Sequence, residues 1–123
     1  VLRKVFGVLP RDMIHGMIHC TGGGQVKCRD FGRGLVYIKD DLFERPAIFE
    51  AISASGEITE KEMYQIFNMG HRMEICCSES IADSVISVSR GFGVDAKVIG
   101  HVEKNSSPEN KVIIRDRGEL HEY

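Results

Sequence analysis

With 123 residues, 42% hydrophobic and 28% charged, the chain has the size and balance of one ordinary globular domain whose core needs no staples. A net charge of −2 argues against general nucleic-acid or membrane-surface binding, which requires a basic excess. No apolar run approaches membrane-spanning length and the opening residues do not read as a leader, so the expected address is the cytoplasm, with neither nucleic acid nor membrane as a partner.

The opening VLRKVFGVL has apolar residues at 1, 2, 5, 6 and 9, one face of a helix already under way with no capping residue ahead of it. The expectation is therefore a fragment, cut upstream of its first element. Pro10 closes that helix, because the residue before a proline is pushed away from helical angles. Residues 13–21 read as a buried strand with His15, Met17 and His19 on one face. A polar, Gly-punctuated stretch over 25–34 reads as loop, and Leu35–Lys39 alternates like a strand. Pro46 suits the first turn of a helix carrying Ile48, Phe49 and Ile52 and stopping at Gly56.

Thr59-Glu60-Lys61-Glu62 is a capping box that opens a helix running to about Phe67, with Met63, Ile66 and Phe67 as its apolar face. Met73–Cys77 is a short strand, and Ser78 can cap a helix carrying Ile81, Val85 and Val88 that ends near Gly91. Residues 96–102 and 111–115 are further strands, separated by the turn-forming Asn105-Ser106-Ser107-Pro108. This order predicts an α+β fold, a layered mixed β-sheet covered by helices, as one domain over residues 1–123 with no internal repeat.

Four cysteines at 20, 28, 76 and 77 form no C-x-x-C pair, so a zinc ribbon is not indicated. Cys76 and Cys77 are neighbours on a strand and point to opposite faces, and reduced thiols are expected. His15 and His19 stand about 13 Å apart on an extended strand, too far to share one metal ion.

The stretch HCTGGGQVKC carries three consecutive glycines directly after the first strand. Glycines reach positive φ and leave backbone N–H groups uncovered, a nest that attracts anions such as phosphate. The pattern is neither a Walker loop nor G-x-G-x-x-G, and a flexible surface turn accounts for it equally well. Thr21, Gly22, Gly23 and Gly24 are the candidate cradle. His19 beside them is the candidate for proton transfer or oxyanion contact near a bound phosphate. Asn68-Met69-Gly70 lies at a helix-to-strand junction, where Asn-x-Gly ends a helix well. His71 and Arg72 either add a cationic edge for an anionic substrate or are solvated, while Asp40, Asp41, Glu44 and Arg45 read as a mixed-charge surface patch.

Together, HGMIHCTGGGQVKC and EMYQIFNMGHRMEI resemble, in order and spacing, the C-terminal domain of the aminoimidazole ribonucleotide (AIR) synthetase family, the phosphoribosylformylglycinamidine cyclo-ligases. The resemblance runs from the opening helix through DAKVIGHVE. The commoner form of the family follows the glycines with a segment ending in N-[IL]-P-R and has G-x-G-M after the asparagine; the residues here look like a distinct branch.

The resemblance implies an ATP-dependent ligase of purine biosynthesis that closes the imidazole ring of formylglycinamidine ribonucleotide, giving AIR, ADP and phosphate with the help of Mg²⁺. ATP and Mg²⁺ are expected mainly on an N-terminal domain absent from this chain, which alone is expected to be inactive. The resemblance makes His19 the catalytic candidate. It makes Thr21, Gly22, Gly23, Gly24, Asn68, Met69 and Gly70 the candidates for binding the phosphoribosyl substrate, with no metal ligand among them. It further implies a homodimeric full-length enzyme. The alternative is a stand-alone, non-catalytic module of the same fold that binds a phosphate ligand or regulates.

Overall fold

In the computed structural model, which describes residues 1–123, the chain divides into two compact units, one of residues 1–17 and 75–98 and one of residues 18–74 and 99–123. Two strands, β1 (Ile14–His19) and β3 (Met73–Cys77), pair as a two-stranded sheet.

The first unit is built on α1 (Leu2–Val8) and α4 (Glu79–Arg90), which touch. Helix α4 buries Ile81, Val85 and Ser89, a stripe spaced by four residues, and α1 buries Val5. Leu9, ahead of Pro10, is extended at φ −112°, and α1 ends there as expected. Ser78 does occupy the position preceding α4, but its hydroxyl lies 3.1 Å from His15 Nε2 and does not cap the helix.

The second unit holds a four-stranded sheet in the order β4-β2-β5-β6, made of β2 (Leu35–Lys39), β4 (Gly100–Lys104), β5 (Lys111–Asp116) and β6 (Glu119–Glu122). β2 and β5 run parallel, while β4 and β6 pair antiparallel on the outside. Register sets Tyr37 beside Val112 and Lys39 beside Ile114. By alternation these four side chains share one face, and all are buried. Against this unit's strands packs a 3₁₀ helix, Gly24–Asp30, which also touches α3 (Glu60–Ile66). The capping box forms as read: Thr59 Oγ1 accepts from Glu62 N–H and the Glu62 carboxylate accepts from Thr59 N–H. Helix α2 (Ala47–Ala54) starts after Pro46, and its Phe49 ring meets Phe67 at 5.5 Å.

Four features depart from the sequence expectation. The sheet is two sheets. The expected loop over 25–34 opens with the 3₁₀ helix, because Gln25, Val26 and Cys28 are buried. β6 was not anticipated: its residues are Glu, Leu, His and Glu, with no apolar alternation. It forms because Arg117 and Gly118 both take positive φ (54° and 81°), the requirement of a tight two-residue hairpin, and Asp116 pairs with Glu119 across it. The expected strand over 96–102 begins only at Gly100. The four cysteines are free thiols, as expected.

Candidate functional site

The residues singled out by the two motifs, from His19 to Cys28 and from Asn68 to Gly70, all belong to the second unit. Gly24 N–H donates to Thr21 O at 3.1 Å, closing a four-residue turn with Gly22 and Gly23 at its centre. Gly23 sits at φ 91°, ψ −2°, the third position of a type II turn, which favours glycine. The turn's own hydrogen bond engages only the Gly24 amide, leaving the Gly22 and Gly23 amides outside it. Thr21, Gly22, Gly23 and His19 are exposed. Gly24 is turned inward: a Cβ there would come within 2.5 Å of the Phe67 carbonyl oxygen and also meet that of Tyr64. Of the three glycines, two therefore face outward and the third lets the chain approach the end of α3. Lys27 brings its ammonium to Thr21 Oγ1 at 2.8 Å, placing a cation beside the turn.

Asn68 ties this turn at both ends. Its Nδ2 donates to Cys20 O at 3.0 Å on the leading side, and its own carbonyl accepts from Gln25 Nε2 at 2.6 Å on the trailing side. Its Oδ1 accepts from Gly70 N–H at 3.0 Å, and His71 N–H returns to Asn68 O at 2.9 Å. Met69 and Gly70, at φ 52° and 91°, form the centre of that second turn. Met69 is buried, and a Cβ on Gly70 would meet Pro46 Cγ at 2.8 Å. The two motifs are thus brought together, with Asn68 as the link. Helix α3 has already ended at Ile66, so the Asn-x-Gly turn follows the helix end.

Beneath the turn lies a buried charge pair with no local sequence signal. Lys39 Nζ donates to Gln25 O at 2.5 Å, to Gln25 Oε1 at 3.0 Å and to Glu74 Oε1 at 2.5 Å. The same carboxylate oxygen accepts from Cys20 Sγ at 3.4 Å. Burial, reinforced by Glu74, pushes the Cys20 thiol up to about 12. The protonated thiol is therefore the favoured form. The alternation of Leu35, Tyr37 and Lys39 put Lys39 on the Tyr37 face, but nothing in the sequence named its partners.

A second buried network corrects the surface reading of Arg45. Arg45 is buried, and its guanidinium grips Glu60 through both terminal nitrogens at 3.1 and 2.6 Å. One of those nitrogens also donates to Tyr64 OH at 3.1 Å, while the Tyr64 hydroxyl donates to Asp116 and Ser53 donates to Glu60. The Arg45 hydrogen bonds hold the Glu60 carboxyl down at about 2, and burial raises the Tyr64 phenol. His71 is likewise buried, its Nε2 accepting from Phe43 N–H at 3.2 Å, so the cationic edge reduces to the exposed Arg72.

Two surface depressions of about 450 and 270 Å³ border the second network and share Asp116, Arg117 and Glu119. Asp40 and Asp41 also line the larger one, so its carboxylates outnumber its arginines and disfavour an anion. No three His, Cys, Asp or Glu side chains gather as a metal set. No helix is long and apolar enough to cross a membrane.

Residues 2–113 match the family described as AIR synthase related protein, C-terminal domain. The chain is 38% identical over 104 residues to a phosphoribosylformylglycinamidine cyclo-ligase of Methanopyrus kandleri, covering 84% of this chain and 30% of that protein. It is 34% identical over 117 residues to one of Caldicellulosiruptor bescii, covering 93% and 33%. It is 32% identical over 104 residues to one of Methanococcus vannielii, covering 85% and 30%. The chain thus spans about a third of the length of the curated relatives it matches.

Proposed function

The chain belongs to the AIR synthase related protein C-terminal domain family, and from that premise we propose that it is the substrate-binding part of a cyclo-ligase of purine biosynthesis. In this reading the full-length protein, a cytoplasmic homodimer, activates the formyl amide oxygen of formylglycinamidine ribonucleotide with ATP. A substrate nitrogen then closes the imidazole ring, releasing AIR, ADP and phosphate. ATP and its Mg²⁺ are held by the part of the protein outside this chain.

The task of this chain is to hold the phosphoribosyl end of the substrate. The observation that carries the reading is the exposed turn. The Gly22 and Gly23 amides lie outside its hydrogen bond, with the Thr21 hydroxyl and the Lys27 ammonium 2.8 Å apart beside them. Backbone N–H groups, a hydroxyl and one cation form a donor set suited to a phosphate. His19 ends β1 two residues before Thr21 and is exposed, so its ring can accept or donate a proton next to a substrate held there. Asn68 holds the turn through Cys20 and Gln25, and Met69 and Gly70 form the second turn that follows it.

Gly22→Val tests this most cleanly. A Cβ at Gly22 meets nothing within 4 Å, whereas Gly23 has φ 91° and any side chain there is strained. In the full-length protein, Gly22→Val should weaken binding of formylglycinamidine ribonucleotide at least about tenfold, equivalent to about 1.4 kcal/mol, with unchanged melting. Unchanged binding would overturn the cradle. The 123-residue chain by itself should form no AIR and hydrolyse no ATP; robust turnover by it would refute the division of labour.

A further inference from the structure

The Lys39–Glu74 pair has side chains only 4% and 9% exposed, at 2.5 Å. A buried ion pair is a poor route to stability, since apolar residues of similar volume commonly do as well or better. What such a pair supplies is direction. An ammonium has three donors, and all three of Lys39 are engaged, two of them on Gln25. None is left for a ligand, so Lys39 touches the residue after the glycines and nothing bound to them.

Gln25 is fully buried and passes the constraint on, its Nε2 reaching Asn68 O and Asn68 Nδ2 reaching Cys20 O. Cys20 in turn donates its thiol to the Glu74 oxygen that accepts from Lys39. The hydrogen bonds close a ring, Lys39 to Gln25 to Asn68 to Cys20 to Glu74 and back. Both residues flanking Thr21–Gly24, Cys20 and Gln25, are members of it. Consecutive glycines are the most conformationally free backbone a loop can have, and the affinity of a flexible loop for an anion depends on how far it is ordered beforehand.

We infer that the buried Lys39–Glu74 pair, working through Gln25 and Asn68, is a positioning device that pre-orders the glycine turn for its anion. The inference rests on the reading of that turn as a phosphate cradle. Lys39, Glu74 and Gln25 are positioning residues: they act on affinity through the turn and take no part in the bond-making steps.

The test uses the full-length protein, with inorganic phosphate as the probe and ADP present to occupy the nucleotide site. Lys39→Met/Glu74→Met removes both charges together and leaves no buried carboxylate unpaired. Gln25→Met keeps the pair and its main-chain contact but removes the side-chain bonds to Lys39 and to Asn68. Both variants should melt within a few degrees of the parent. They should bind phosphate about tenfold more weakly, and raise KM for formylglycinamidine ribonucleotide by a similar factor with kcat within about twofold.

A purely structural role would lower the melting temperature and leave the phosphate affinity of the folded protein unchanged. Wild-type phosphate affinity in a folded Gln25→Met protein overturns the inference, whether or not the double variant folds. Gly22→Val, run alongside, separates the two claims. If it weakens phosphate binding while the Met variants do not, the cradle stands and the positioning device falls. If Gly22→Val is silent, the cradle reading itself falls.

Discussion

Two buried cations in the same unit, Lys39 and Arg45, sit in networks of opposite character. Arg45 grips Glu60 and Tyr64, and Tyr64 reaches Asp116. These bonds link α3 to β5 and to the segment ahead of α2, and the flanking surface is rich in carboxylates. Lys39 directs two of its three bonds at the residue that follows the glycines, and its network borders an exposed turn whose Gly22 and Gly23 amides lie outside the turn's hydrogen bond. Both networks join elements of the fold, but only that of Lys39, which ties β2 to β3, also takes in the residues on either side of the glycine turn. A buried charge is therefore not by itself a mark of function. What it is attached to decides.

That contrast is open to direct attack. The largest expected effect is on the Arg45 side. Arg45→Met leaves Glu60 without its guanidinium and should cost about 3 kcal/mol in denaturant unfolding, the lower end for a broken buried pair because Glu60 is a third exposed. Phosphate affinity of the folded protein should not change. A loss of affinity as large as that of Gly22→Val would erase the distinction between the networks.

A smaller effect is its pH dependence. Glu60 is depressed from 4.5 to about 2, chiefly by the Arg45 hydrogen bonds. A carboxyl with a lowered folded-state value contributes stability that is complete above its unfolded value and is lost as pH falls through the folded one. Stability should thus decline between about pH 4.5 and 2, and Arg45→Met should flatten that decline. Equal slopes in parent and variant, measured by urea unfolding across the window, would show that Glu60 does not carry the effect.

The smallest effect belongs to Lys27. Its contact with Thr21 is exposed, and exposed charge contacts are worth about 0.2–1 kcal/mol. Lys27→Met should weaken phosphate binding up to about fivefold without moving the melting temperature. The difference should shrink in high salt as the exposed charge is screened. A lower melting temperature would place Lys27 with the fold.

What the sequence made legible follows from range. Local signals survived: β2 and β3 have the expected bounds, Leu35–Lys39 and Met73–Cys77, and Thr59 and Glu62 form the capping box their spacing requires. The hairpin strand β6 escaped because its signal is the left-handed Arg117-Gly118 turn, not apolar alternation. Lys39 and Arg45 escaped for another reason. Their partners stand 35 and 15 residues away, and only tertiary packing brings them together. The glycine motif was visible at once, but physics alone left it balanced between a turn and an anion site. The division among its glycines, two outward and one packed on α3, depends on the position of that helix and is absent from the pattern GGG.

That division supplies its own control. In the full-length protein labelled at glycine nitrogens, titration with formylglycinamidine ribonucleotide should shift the Gly22 and Gly23 amide resonances strongly. The Gly24 amide, already bonded to Thr21 O, should move least. If substrate saturates the protein while Gly22 and Gly23 stay still, the turn does not hold the phosphate and the central claim is wrong.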